Sequence, residues 1–153
     1  MKARAANKPL SRRVAVVAGA TRGAGRGIAR MLGEAGAIVY CTGRSIRTQA
    51  GESRRATAGR PETIEETAEM VTAAGGTGIA VRVDHTVNEQ VAALFERVAR
   101  EHNRLDVLAT VATGQPASWK PFLEEEPAEG KTFVDGWIWP HIVTAWHGAK
   151  LMA

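Results

Sequence analysis

A short apolar run that passes directly into a glycine-rich turn constrains this chain more than any other stretch. Val14–Ala18 is apolar, Gly19–Gly25 contains three glycines, and Ile28, Met31 and Leu32 then share one helical face. A strand leading at once into a helix directs the helix's unpaired N–H groups and positive dipole end at the turn, where glycines let an anion approach. The stretch therefore predicts a phosphate-binding turn; the alternative is a turn that only lets the helix cross the strand.

Strand patterns alternate with helix patterns along the rest of the chain. Strands are predicted over residues 14–20, 37–42, 77–83 and 105–111. Helices are predicted after the turn, over residues 61–74, from a cap at Thr86 or Asn88 to about Val98, and over residues 133–152. The polar residues 43–60 between them are predicted to form a long, mobile loop. This alternation predicts an α/β fold with a doubly wound parallel sheet in the order 3-2-1-4 and a ligand at the carboxyl ends of its strands.

Length and charge indicate one globular domain with a basic tail. We expect residues 1–10 to be disordered and residues 11–153 to form the domain. Residues 1–13 carry five basic side chains and no acid, which gives this segment a charge of +5. Because the net charge of the whole chain is +4, the remaining residues sum to −1. Basicity confined to a tail, with no recognised binding motif, does not favour nucleic-acid binding.

The sequence favours a cytoplasmic protein. No apolar run approaches the roughly 18 residues that would span a membrane. Cys41 is the only cysteine, so no internal disulfide can form, which fits a reducing compartment. We predict no metal site.

The glycine spacing identifies a resemblance to a known family. Gly19, Gly23 and Gly25 form the pattern G-x-x-x-G-x-G with Arg22 just before the second glycine, and this resembles the short-chain dehydrogenase/reductase family. The segment 105–108 (Leu-Asp-Val-Leu) is similar to that family's L-D-x-L strand. The resemblance implies a Rossmann-like domain that binds a nicotinamide dinucleotide and transfers hydride to or from a carbonyl or alcohol. The cofactor-binding positions expected on this basis are Gly19, Thr21, Arg22, Gly23, Ala24, Gly25, Arg44, Ser45, Asp84, His85, Val111 and Ala112.

The end of the second strand is expected to select the cofactor. An acid there binds the ribose hydroxyls of NAD(H), whereas a positive charge pairs with the 2′-phosphate of NADP(H). This chain has Arg44 and no acid before Glu52, which favours NADP(H); the alternative is that Arg44 is a solvated loop charge. Asp84 is expected to accept from the adenine amino group. His85 is expected either to stack on adenine or to be a surface histidine in a loop.

The chain departs from the family in its catalytic residues. Residues 110–113 (Thr-Val-Ala-Thr) replace the N-N-A-G segment, and His141 occupies the place of an asparagine that supports an active-site water. The alternative for His141 is an interior or interface histidine. The family's Tyr-x-x-x-Lys pair is absent, and Tyr40 is the only tyrosine. We therefore interpret the chain as the cofactor-binding half of an NADP(H)-dependent oxidoreductase, truncated before the fifth strand and inactive alone. The alternative is a non-catalytic nucleotide-binding or scaffold protein.

The missing half has a physical consequence. Without a fifth strand, the strand at 105–111 would form an apolar edge, and the last helix would lack part of its packing surface. The sequence therefore predicts a homo-oligomer; the alternative is a poorly soluble monomer.

Overall fold

The four predicted strands form one parallel sheet. The computed structural model describes residues 8–47, 62–113 and 120–153. Its strands are β1 (Val14–Ala18), β2 (Ile38–Gly43), β3 (Thr77–Arg82) and β4 (Val107–Thr110), in the order β3-β2-β1-β4. The predicted α/β class and strand order are confirmed. The predicted tail at residues 1–7, most of the predicted loop (48–60), Pro61 and Trp119 lie outside the described residues.

The described residues form five α-helices. They are α1 (Gly23–Glu34), α2 (Ile64–Ala73), α3 (Asn88–His102), α4 (Pro127–Trp137) and α5 (Trp139–Met152). Helices α1 and α2 pack on one face of the sheet and α3 and α5 on the other, while α4 packs against α5. Successive side chains of a strand point to opposite faces, so Ala15 and Val17 join the cluster under α1 and α2, while Val14 and Val16 join the cluster under α3 and α5. Every residue of β1 is buried, as expected for the central strand of a doubly covered sheet.

The last predicted helix is in fact two helices. A single helix was expected over residues 133–152, but α4 begins at Pro127 and ends at Trp137, and α5 begins at Trp139. Pro140 has no N–H to donate to the preceding turn, and it lies within the first turn of α5, where that donor is not needed. The proline therefore starts a new helix.

Two predicted helix starts also differ from the structure. Residue Val87 caps α3 without a side-chain bond, because the Thr86 hydroxyl donates to Asp84 instead. The second helix begins three residues after Pro61, where Thr63 and Glu66 form a reciprocal capping box. Local hydrogen bonds of polar side chains therefore determine where α2 and α3 begin.

Residues 8–10 belong to the packed domain rather than to a free tail. The Leu10 amide donates to the carbonyl of Ala35 at 2.9 Å, and its side chain packs against the cluster under α1 and α2. The Lys8 ammonium donates to the carbonyl of Gly75 at 2.6 Å. The chain is therefore anchored before β1 begins.

Asp106 joins the amino end of β4 to that of β1. Its carboxylate accepts from the Val14 amide at 2.9 Å and from the Arg13 guanidinium at 2.8 Å, and it also pairs with Arg104. Only 14% of the side chain is exposed. The hydrogen bond from Arg104, together with those from Val14 and Arg13, holds the pKa of Asp106 well below its usual value of 3.8.

We predict that Asp106→Asn lowers the free energy of unfolding at pH 7 by about 2 kcal/mol, since hydrogen bonds to a charged acceptor are lost. The depressed pKa adds stability above the unfolded-state pKa, and this is lost as the pH falls below about 4. The difference between wild type and variant in urea unfolding should therefore shrink below pH 4. The matched control is Asp135→Asn, whose partner Lys131 is 76% exposed. A difference that does not change with pH would contradict this assignment.

Candidate functional site

The glycine turn after β1 is held by the neighbouring strand. Gly19 has a φ of 88°, which a side chain would rarely allow. The amides of Gly19 and Ala20 both donate to the carbonyl of Thr42 at 2.9 Å. The Thr67 hydroxyl of α2 donates to the carbonyl of Ala20 at 2.9 Å. The turn is therefore fixed by β2 on one side and by α2 on the other.

Helix α1 crosses this turn at very close range. A Cβ atom on Gly25 would lie 2.0 Å from the carbonyl oxygen of Gly19. A Cβ on Gly19 would lie 2.7 Å from the amide nitrogen of Ala112. The Val111 amide donates to the carbonyl of Ala18 at 2.9 Å, so residues 111 and 112 lie beside the turn. The structure thus brings Gly19, Gly25, Val111 and Ala112 together.

The amino end of α1 offers backbone donors without a side-chain cap. Arg22 is the N-cap residue but makes no capping bond, and the first turn contains no acid. Gly23, with a φ of 53°, and Ala24 are exposed, and a Cβ on Gly23 would meet nothing within 4 Å. Open space, unpaired N–H groups and the positive end of the helix dipole together can bind an anion.

Thr21 and Ser45 lie below the surface beside the turn. Both are buried, at 8% exposure each. The Thr21 hydroxyl lies against Gly43, where a Cβ would be 2.7 Å away. The Ser45 carbonyl accepts from the amide of Ile64 at the start of α2. Their contacts support the turn and the junction between β2 and α2.

Arg44 spans the carboxyl edge of the sheet. Its guanidinium donates to the carbonyl of Thr113, after β4, at 3.3 Å, and another of its nitrogens lies 4.0 Å from the carboxylate of Asp84, after β3. The side chain is 38% exposed. It therefore lies within reach of a ligand at this edge, next to an acid and a carbonyl.

Asp84 is largely engaged within its own loop. One carboxylate oxygen accepts from both the amide and the hydroxyl of Thr86, at 3.0 and 2.6 Å. Burial works to raise the pKa of Asp84, but the bonds from Thr86 and the charge of Arg44 hold it below its ordinary value. The other carboxylate oxygen, Oδ2, faces Arg44 and can accept a hydrogen bond from a further donor.

His85 lies beneath the site rather than at its surface. The prediction of a surface loop histidine is wrong, because the side chain is only 4% exposed. Its two ring nitrogens lie 2.8 Å from the Thr42 hydroxyl and 2.9 Å from the Thr144 hydroxyl. Burial lowers the pKa of His85 to about 4, so the ring is neutral at pH 7. A ring enclosed in this way does not present a face for adenine.

His141 stands at the other end of the same edge. Its Nδ1 lies 3.0 Å from the hydroxyl of Thr110, the last residue of β4, and the side chain is half-buried. Sequence reasoning missed the threonines that hold both histidines, Thr42, Thr110 and Thr144. The available signal was a threonine near the carboxyl end of the second and fourth strands and one on the buried side of the last helix.

Tyr40 is not placed to transfer a proton at the carboxyl edge of the sheet. It lies in the middle of β2 with no exposed surface, and its hydroxyl donates to Glu101 of α3. Burial, followed by the bond to Glu101, raises its pKa well above the usual value of 10.0. The one tyrosine of the sequence is therefore structural.

The described part of the chain contains neither a metal-binding cluster nor a membrane-spanning helix. No group of three or more His, Cys, Asp and Glu side chains is placed to hold a metal ion in residues 8–47, 62–113 and 120–153. Within the same ranges, no helix has the length and apolar character needed to cross a bilayer.

Parallel strands in the order 3-2-1-4, with a glycine turn at the carboxyl end of β1, define a Rossmann-like α/β protein. The sequence profile described as "short chain dehydrogenase" matches residues 13–153. The chain belongs to the short-chain dehydrogenase family, as the glycine spacing predicted.

Individual relatives agree with this assignment. The chain is 40% identical over 105 residues to the mouse protein "Dehydrogenase/reductase SDR family member 1", a match that covers 68% of this chain and 29% of that protein. It is 32% identical over 121 residues to a hydroxynaphthalene reductase of Aspergillus fumigatus, covering 79% of this chain and 38% of the relative.

Solved structures share the fold. A putative short-chain alcohol dehydrogenase from Sinorhizobium meliloti superposes with a TM-score of 0.72 at 26% identity, covering 95% of this chain and 51% of that one. An NADH-dependent reductase complexed with NAD gives a TM-score of 0.69 at 18% identity, covering 94% and 53%. The chain thus spans about a third of these curated relatives and about half of these solved structures.

We predict opposite effects for alanine at two glycines of α1. Gly25→Ala should lower the free energy of unfolding by about 3 kcal/mol or more, because its methyl group would overlap the Gly19 carbonyl. At Gly27 a Cβ meets nothing within 4 Å. Gly27→Ala should therefore raise stability by up to about 1 kcal/mol through helix propensity. Thermal unfolding of both variants measures this, and equal effects would contradict the close crossing.

Proposed function

We propose that this chain is the cofactor-binding part of an NADP(H)-dependent oxidoreductase of the short-chain type, acting on a carbonyl or alcohol. The observation that carries the proposal is the uncapped amino end of α1, open at Gly23 and directed at the carboxyl edge of a parallel sheet. Backbone donors at such a junction suit a diphosphate. The family membership agrees with this chemistry.

The residues present fit a nicotinamide dinucleotide. In this proposal the amides at Gly23, Ala24 and Gly25 bind the diphosphate, and Gly19 supplies the tight turn that lets it approach. Arg22, Thr21 and Ser45 line or support this end, while Val111 and Ala112 form the wall beside β4. When bound, the dinucleotide supplies the hydride that the protein itself cannot provide.

Arg44 is the residue proposed to select NADP(H). Its partly exposed guanidinium can pair with a 2′-phosphate, and it is the first charged residue after β2. In the free protein Asp84 competes for that charge at 4.0 Å. The selectivity should therefore reflect both residues, with Asp84 reducing the gain from the phosphate. The structurally similar reductase complexed with NAD is described as NADH-dependent. The proposed preference for NADP(H) therefore rests on Arg44 and not on that similarity.

The substrate end is proposed to lie beside His141. Its Nδ1 is engaged by Thr110, so its Nε2 is the nitrogen available to a water or a substrate oxygen. A carbonyl reduction also needs a proton donor, and the given sequence holds no Tyr-x-x-x-Lys pair. We therefore expect this chain by itself to bind nucleotide without turnover. A non-catalytic nucleotide-binding or scaffold role is the alternative, and carbonyl reduction by a longer form containing that pair would exclude it.

We predict that Arg44→Ala weakens NADPH binding about tenfold or more, the loss of one charge-assisted pair, and changes NADH binding by less than about threefold. Fluorescence titration with both nucleotides measures this. Arg47→Ala is the matched control, because Arg47 is paired with Glu69 at 2.8 Å and should leave both affinities unchanged. Equal loss for both nucleotides would rule out selection by Arg44.

We predict that Asp84→Asn raises the ratio of NADPH to NADH affinity several-fold. The amide keeps an oxygen for the Thr86 donors but removes the charge that competes for Arg44. A lost contact to adenine would weaken both nucleotides alike and leave the ratio unchanged. The same titration therefore separates the two roles, and an unchanged ratio would mean that Asp84 does not restrain Arg44.

We also propose that the chain is a homo-oligomer. The outer face of α5 carries Ile142 and Trp146 at 53% and 56% exposure, while Val143 and Gly148 occupy its inner face, so the helix is apolar on both sides. Such a helix is normally covered on both faces. The sheet also ends at β4, which pairs with β1 alone among the described strands.

We predict that light scattering shows the wild-type chain as a dimer or larger species. The double variant Ile142→Glu with Trp146→Glu should be monomeric, because it places charge on the exposed face. Arg97→Glu on α3 serves as a control of similar charge change. A wild-type chain that is a stable monomer at micromolar concentration would contradict the proposal.

A further inference from the structure

A buried hydrogen-bonded chain connects the glycine turn with helix α5. It runs from Thr42, at the end of β2, through the ring of His85, after β3, to Thr144 of α5. Thr42 and Thr144 have no exposed surface, and His85 is 4% exposed. The three side chains come from β2, the loop after β3 and α5, and they form a continuous buried polar path.

The direction of each hydrogen bond follows from the chemistry of the groups. The Thr42 hydroxyl lies 3.1 Å from the carbonyl of Val17, which can only accept, so Thr42 donates there. Its oxygen must then accept from His85 Nε2–H. A neutral ring with its proton on Nε2 leaves Nδ1 as an acceptor, and the Thr144 hydroxyl donates its hydrogen bond to this nitrogen. Every hydrogen of the chain therefore has a defined partner.

Both ends of this chain matter to the candidate site. The carbonyl of Thr42 accepts the amides of Gly19 and Ala20, which form the glycine turn. Thr144 lies three residues after His141 on α5, so the two side chains occupy the same side of the helix. The ring of His85 is thus the one described side chain that hydrogen-bonds to both of these threonines.

We propose that His85 is a positioning residue that joins the glycine turn to α5, so that fixing the turn also fixes the helix on which His141 stands. The effect of nucleotide binding on α5 rests on the proposed nucleotide site. A diphosphate bound at the turn would stabilise the position of α5 in which Thr144 is hydrogen-bonded to His85. An apolar side chain of similar size would fill the space but would not orient Thr42 and Thr144 relative to each other. The coupling therefore depends on the two ring nitrogens and not on packing alone.

The first test uses the full chain without nucleotide. Thr144→Val keeps the shape of the side chain but removes the donor to His85. We expect the amides of Gly19 and Ala20 to exchange with deuterium about tenfold faster in this variant, because their acceptor strand loses its support. Thr132→Val on α4 is the matched control, since its hydroxyl bonds only within its own helix. Unchanged exchange at Gly19 and Ala20 in Thr144→Val would overturn the proposal.

The second test separates the two hydrogen bonds of the His85 ring by retaining one of them at a time. Glutamine at position 85 can place an amide near the Nε2 position and retain Thr42, whereas asparagine reaches only the Nδ1 position and retains Thr144. In wild type, NADPH should slow the exchange of α5 amides 147–150 severalfold. In His85→Gln and His85→Asn this protection should disappear, even though the glutamine variant still binds NADPH. Full protection of α5 in both variants would overturn the proposal.

The two arms also separate this inference from the proposed function. If NADPH changes no amide of wild type, including Gly23 at the start of α1, the nucleotide site is wrong. The first test still decides whether His85 joins the turn to α5, because it uses no nucleotide. If NADPH changes the exchange of the Gly23 amide but the first test shows no effect, the proposed nucleotide site is retained. The inference that His85 joins the turn to α5 is then wrong.

Discussion

The crossing of α1 over the Gly19 turn is the contact on which the rest of the structure depends. Gly25 leaves no room for a side chain against the Gly19 carbonyl, and Gly19 leaves none against Ala112. These two approaches bring strand, helix and the segment after β4 to one point. At the same place the amino end of α1 has no side-chain cap and opens onto free space at Gly23. The fold and the proposed binding site therefore both depend on the absence of Cβ atoms at Gly19 and Gly25.

Sequence reasoning was sufficient where one local pattern determines the structure. Apolar patterns marked all four strands, and their alternation with helices predicted the doubly wound order that is observed. The glycine spacing located the turn and the family. Helix ends were less predictable, because Thr86 bonds to Asp84 rather than capping α3, and Pro140 divides the last helix. Such outcomes depend on competition between nearby polar groups, which periodicity does not reveal.

The candidate site was harder to predict than the fold because its polar side chains contact residues distant in sequence. His85 follows a strand and reads as a loop residue, yet Thr42 and Thr144 enclose it from β2 and α5. Arg44 reads as a free cation, yet it lies between Asp84 and the carbonyl of Thr113. The tertiary structure thus buries His85, for which a surface position was one of the two expectations. It also places the carboxylate of Asp84 beside Arg44, the residue proposed to select the cofactor.

The central claim is that the turn from Gly19 to Gly25 binds the diphosphate of a nicotinamide dinucleotide. Amide-resolved NMR during titration with NADP⁺ tests it most directly, because it reports each backbone donor separately. The account predicts that the largest saturable shifts occur at Gly23, Ala24 and Gly25, with a further shift at Arg44. Saturable shifts confined to another surface, with these amides unchanged, would contradict it.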